Sequence, residues 1–161
     1  MSRLSENVLV IGLGSPIMTD DAIGLRVAGA VEDMRLPNVE TRQEAIGGLD
    51  IIPVISGYRN VVIVDAIRTC MYDPGTVIIF DPKDFEPTVT NASAHEMNLA
   101  TALKIGKLMD PENMPESVVF VGIEVQDIMT VSEKMTEKVE DALPDVVGTV
   151  LDIIKKIQMS I

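Results

Sequence analysis

The sequence predicts an α/β fold: a mostly parallel, twisted sheet of about five strands, one of them antiparallel, with helices on both faces. Three observations lead there. Asn7-Val-Leu-Val-Ile-Gly12 and Asn60-Val-Val-Ile-Val-Asp65 are short, almost wholly apolar runs, the composition of central strands covered on both sides. Strand-like runs alternate with helix-like segments, which implies right-handed crossovers. The turn Tyr72-Asp-Pro-Gly75 most simply joins two neighbouring strands as a hairpin, which calls for one antiparallel strand.

The elements follow in order. After the first strand, Leu13 to Thr19 reads as a loop. A helix starts near Asp20 or Asp21 and runs to about Met34, with Ile23, Val27, Ala30, Val31 and Met34 on one face. Thr19 and Asp20 are both suited to capping it. Leu36-Pro37-Asn38 ends it. Val39 to Gln43 is a candidate second strand, and Gly47-Gly48 sits in the next loop. Leu49 to Ile55 reads as a short helix with Pro53 near its first turn. Beyond Asp65 and the 72–75 turn, Thr76 to Phe80 is a further strand. A polar stretch covers 81–94, and His95 to Met109 reads as a helix. Ser117 to Ile123 is the last strong strand. Two helices close the chain, Ser132–Leu143 and Asp145–Ile157, with Pro144 expected to separate them.

A length of 161 residues suits one three-layer domain covering residues 1–161. Apolar residues make up 47% of the chain and the mean hydropathy is +0.27, so a filled core is expected. Aromatics are only 3%, leaving aliphatics and ten methionines to fill it. The formal net charge of −12 disfavours nucleic acid and anionic membrane as partners. The single cysteine, Cys70, permits no internal disulfide. With no secretory apolar segment and no run long enough to span a bilayer, a cytoplasmic location is expected.

Ligand sites in open α/β sheets lie outside the carboxyl ends of the strands. That rule selects Gly12, Gly14 and Thr19-Asp20-Asp21 after the first strand, and Asp65 at the end of the strand from Asn60. An acid following four apolar residues is costly unless it is paired, hydrogen-bonded or bound to a cation. His95, the sole histidine, stands where a helix returns over the sheet. Two carboxylates and an imidazole could form an open site for a borderline divalent ion such as nickel or zinc, or act as acid–base groups without metal. Gly12-Leu-Gly14 lacks the third glycine of a dinucleotide fingerprint, since Ile17 stands in its place. Gly47-Gly48 reads either as a flexible turn or as a backbone strip along which an extended peptide lies. Cys70 has no flanking pattern of a nucleophile, and no serine sits in a nucleophile-elbow context.

Val10-Ile-Gly-Leu-Gly-Ser-Pro-Ile-Met-Thr-Asp-Asp-Ala-Ile-Gly24 resembles the opening motif of the hydrogenase maturation endopeptidases. Gly47-Gly48, Ile63-Val-Asp-Ala66, Asn91-Ala-Ser-Ala-His95 and Val121-Gly-Ile-Glu124 resemble that family's later motifs in order. The likeness spans roughly residues 7–155. It implies removal of the C-terminal extension of a nickel–iron hydrogenase large-subunit precursor. It also implies a metal-binding and catalytic set of Asp21, Asp65 and His95, with Asp21 rather than Asp20 as the acid that matches. Ser15 stands where the family usually has asparagine. The resemblance further implies that nickel is supplied by the substrate as its recognition key. Zinc or cadmium is expected to be able to stand in for it, and a monomer is expected. The alternatives are a nickel-sensing assembly chaperone that does not cut, and a nucleotide-binding α/β enzyme.

Overall fold

The computed structural model describes residues 4–82 and 94–161, with side chains described for all of these but 94–98. Five strands form one sheet: β1 (Ser5–Leu13), β2 (Val39–Glu44), β3 (Tyr58–Ile67), β4 (Val77–Phe80) and β5 (Ser117–Glu124). Their order across the sheet is β2-β1-β3-β5-β4. Four run parallel, and β4 pairs antiparallel with β5 at the edge. The expected antiparallel strand is therefore present, but the 72–75 turn does not join sheet neighbours. β5 lies between β3 and β4, so the turn spans a strand that arrives later in the chain.

The period-2 alternation of the central strands divides the core. Val8 and Val10 of β1 and Val62 and Val64 of β3 face α1 (Ile23–Asp33) and α4 (Glu137–Met159). Leu9, Ile11 and Leu13 with Val61, Ile63 and Ile67 face α2 (Ile51–Ile55) and α3 (Ala94–Met109). In β3 the residue between Ile63 and Ile67 on that second face is Asp65, a carboxylate in a core position.

Helix α1 lies unusually close to the sheet. A Cβ on Gly12 would come 2.1 Å from the Gly24 carbonyl oxygen, and one on Gly24 would come 2.4 Å from the carbonyl oxygens of Leu13 and Val64. Both positions admit only glycine at this separation. The close helix packing that a third fingerprint glycine would give is supplied by Gly24 instead.

Three expectations at helix ends are corrected. The first helix is preceded by a 3-10 turn, Thr19–Ala22, and neither Thr19 nor Asp20 caps it through a side chain. The final helix begins at Glu137 rather than near Ser132. Residues before it are tied elsewhere, with Ser132 bridged to Met18. Pro144 does not separate two helices. It lies inside a continuous α4, on its exposed side, while Val139, Val146, Val147, Val150 and Ile154 are buried. Proline removes one N–H, but the carbonyl it leaves is at the water-facing side, and burial of one long apolar face holds the helix together.

Candidate functional site

The chain moves from β1 out to β2 on one side and returns to β3 on the other, so the strand order reverses between β1 and β3. The crevice at their carboxyl ends is where an open α/β sheet binds ligands. Asp21 follows β1, and Asp65 stands near the end of β3.

Asp65 is only 2% exposed. Its Oδ1 accepts the Ala66 N–H at 2.8 Å. It lines a cavity of about 20 Å³, room for one water-sized particle, with Leu13, Ile46, Gly47, Gly48, Leu99 and Phe120. Phe120 is stacked on Phe80 at 4.7 Å between ring centroids, which fixes that wall.

Asp21 is half-buried in the 3-10 turn. Its Oδ2 accepts the Ser15 N–H at 3.0 Å. Because the donor is backbone, the identity of side chain 15 does not decide this bond, and serine serves as well as asparagine. Gly14 brings the loop into place at φ +150, with a Cβ there falling 1.9 Å from the Asp21 carbonyl oxygen. Asp21 lines a wider depression of about 300 Å³ whose wall includes Leu13, Ile46 and Gly47. Those three residues also line the Asp65 cavity, so the two carboxylates open onto adjoining hollows. Among the described residues lining either hollow there is no lysine or arginine.

Gly47 belongs to both walls and Gly48 to one. A Cβ on either would meet nothing within 4 Å, so a side chain there would project into open space and narrow the crevice. Gly48 also has φ +59, which glycine adopts without cost.

His95 lies in the first turn of α3. Its side chain is outside the described residues. Leu99, four residues on and hence on the same helix face, lines the Asp65 cavity. Among the described side chains, no three histidine, cysteine, aspartate or glutamate groups come together at metal-binding range.

Two further buried acids sit at this edge, and both are committed to the protein. Asp20 is fully buried. Its Oδ2 accepts the N–H groups of Gln126 and Asp127, each at 2.9 Å, and its Oδ1 accepts the Thr136 N–H at 2.7 Å and the Thr136 hydroxyl at 2.9 Å. This carboxylate ties the β1–α1 loop to the β5–α4 loop and so does not serve as a helix cap of its own segment. Glu124, at the end of β5, accepts the Thr69 N–H at 2.9 Å, the Thr69 hydroxyl, and the Cys70 N–H at 3.4 Å. Glu124 carries the same signal as Asp65, an acid closing an apolar strand run, and that signal identifies it from sequence. Cys70 itself is exposed.

Comparison with known proteins adds the family context. The hydrogenase maturation protease family model, HycI, matches residues 45–153. The Hydrogenase 2 maturation protease of Escherichia coli K12 is 30% identical over 119 residues, covering 72% of this chain and 71% of that protein. The hydrogenase maturating endopeptidase HybD from E. coli superimposes with a TM-score of 0.76 at 24% identity, over 93% of both chains. The [NiFe] hydrogenase maturation protease HybD from Thermococcus kodakarensis gives 0.74 at 23% identity, over 92% of this chain and 99% of that one.

Proposed function

The chain belongs to the hydrogenase maturation protease family, and on that premise we propose that it is an endopeptidase that removes the C-terminal extension of a nickel–iron hydrogenase large-subunit precursor. Its recognition key is nickel already seated in that precursor. Asp21, Asp65 and His95 engage the ion, and Gly47 and Gly48 leave a strip of bare backbone for the peptide leading to the scissile bond. The proposed partner is the precursor alone, met by a monomeric enzyme in the cytoplasm, with zinc or cadmium able to stand in for nickel.

The observation that carries this reading is the pair of carboxylates on adjoining hollows at the β1/β3 switch point, one of them in a core position of β3. A carboxylate at the mouth of a crevice is a donor suited to a cation. Carboxylate oxygens and an imidazole nitrogen suit a borderline divalent ion, and a set of only three protein donors leaves its other positions to the substrate. The Asp65 cavity has room for a water-sized particle, which suits an ion or a single water.

The chemistry asked of the site is amide hydrolysis. The oxygen of water adds to the scissile carbonyl carbon, the C–N bond breaks, and the departing amine takes the proton. The carboxylates hold the ion and, through it, the geometry of the peptide; proximity of this kind is worth several kcal/mol of barrier, roughly 7–11 in well-oriented systems.

Asp65→Asn tests the assignment. The variant is expected to retain binding to the nickel-loaded precursor, weakened, while cleavage falls roughly 100-fold or more. Cleavage at the wild-type rate removes Asp65 from the site. A wild-type protein that binds the loaded precursor and never cuts it shows a chaperone rather than a protease.

A further inference from the structure

Of the twelve large apolar side chains left exposed among the described residues, six lie in the connections that leave the parallel strands. Ile17 follows β1, Leu49 follows β2, Met71 and Tyr72 follow β3, and Met129 and Val131 follow β5. Every loop leaving a parallel strand at the carboxyl edge of the sheet therefore presents at least one. Single exposed apolar residues are ordinary, but a rim of them along one edge of the sheet marks an interaction surface.

One arc of this rim is held with unusual firmness. Met18 forms a parallel bridge with Ser132. The Ser132 N–H donates to the Ile17 carbonyl at 2.9 Å, and the Thr19 N–H donates to the Ser132 carbonyl at 3.0 Å. The Thr19 hydroxyl donates to the Thr130 carbonyl. Thr19 is kept at φ +53, a left-handed conformation that a β-branched residue seldom adopts. Beneath the arc, buried Asp20 gathers Gln126, Asp127 and Thr136, and Asp127 in turn accepts the N–H groups of Met129 at 2.8 Å and Thr130 at 3.0 Å. All this fixes a loop whose most prominent side chains, Ile17 at 49%, Met129 at 74% and Val131 at 73% exposure, contribute little to the core. Ile17 and Val131 immediately precede the bridged pair Met18 and Ser132, so the two are neighbours.

We propose that Ile17, Met129 and Val131 form a pre-organised apolar platform on which the folded body of the precursor docks, so that substrate selection rests on this surface as well as on the crevice. The inference rests on the function proposed above. The platform is continuous with the crevice: Ser15, whose N–H holds Asp21, is two residues from Ile17, a span of at most ~7 Å. The Ile17 N–H donates in turn to the Ser15 Oγ at 3.5 Å, so the loop that holds Asp21 and the loop that carries Ile17 are one. The buried Asp20 acts here as a positioning residue, paying the ordering cost of the loop before the partner arrives. In a chain of net charge −12, the apolar face gives a contact that does not depend on opposite charge in the partner.

The test compares equilibrium binding of the full-length, nickel-loaded precursor to three proteins: wild type, the double variant Met129→Ser/Val131→Ser, and a control, Leu108→Ser/Met109→Ser. The control removes two equally exposed apolar residues at the end of α3, away from the rim. The platform variant is expected to bind at least ~10-fold more weakly, with its thermal unfolding unchanged, and the control to bind like wild type. Equal affinity for wild type and platform variant overturns the proposal. So does equal weakening in both variants, or no measurable binding by the wild type. Cleavage by the wild type, followed in the same samples, reports separately on the protease reading: bound but uncut precursor contradicts that reading and leaves the binding comparison to judge the platform.

Discussion

Asp20 accepts both the N–H and the hydroxyl of Thr136, a residue 116 positions later in the chain, and so joins the first loop of the fold to the start of its last helix. Its neighbour Asp21 turns instead to the crevice, where Ser15 holds it. Two adjacent acids thus differ in setting: Asp20 is tied into the fold, and Asp21 opens onto the hollow.

That difference predicts opposite phenotypes. Asp20→Ala removes a fully buried carboxylate and leaves three N–H groups and a hydroxyl without it, and is expected to destabilise the fold by roughly 2–4 kcal/mol. Asp21→Asn keeps shape and is expected to shift stability by less than about 1 kcal/mol, while cleavage of the precursor falls by roughly 100-fold or more. Urea unfolding and a gel assay of precursor processing separate the two. Equal stability losses would remove the distinction.

The glycines predict a second contrast. Gly12→Ala sets a methyl 2.1 Å from the Gly24 carbonyl oxygen, against backbone that cannot yield without moving α1 off the sheet. A loss of about 3 kcal/mol or more is expected. Gly148→Ala lies inside α4 with nothing within 4 Å of the new Cβ, and is expected to stabilise by about 0.5–1 kcal/mol. Unfolding midpoints of the two variants should fall on opposite sides of wild type.

Asp127 predicts an acid dependence. The Thr130 hydroxyl, then the N–H groups of Thr130 and Met129, hold its carboxyl below the ordinary value of 3.8. A carboxyl with a lowered folded-state value stabilises the fold above its unfolded value and loses that contribution as pH falls through the folded one. Wild type is therefore expected to exceed Asp127→Asn in stability near neutral pH, with the gap closing as the pH falls below the ordinary carboxyl value of 3.8. A gap of constant size across that range would contradict the assignment.

Much of this was legible in the residues. β1 and β3 read clearly because both of their faces are covered, so their apolar runs are uninterrupted. Asp65 stood out for the same reason, as an acid where the β3 pattern called for an aliphatic. The position of β5 between β3 and β4 was not legible, because local turn chemistry at 72–75 does not reveal a strand that arrives some 40 residues later. Pro144 misled because the burial of Val139, Val146 and Val150 along one face outweighs one missing hydrogen bond. The task of Asp20 was hidden too, since its partners lie 106 to 116 positions away. His95 entered through its place before a helix and through family resemblance. The structure adds that α3 carries Leu99, one turn later, to the wall of the Asp65 cavity.

The central claim is that the substrate's own nickel is what Asp21, Asp65 and His95 recognise. The most direct measurement is the initial rate of cleavage of one purified precursor prepared with and without nickel, at equal concentrations of enzyme. The account predicts rapid removal of the C-terminal extension from the loaded precursor and none detectable from the nickel-free form. Equal rates on the two would contradict it.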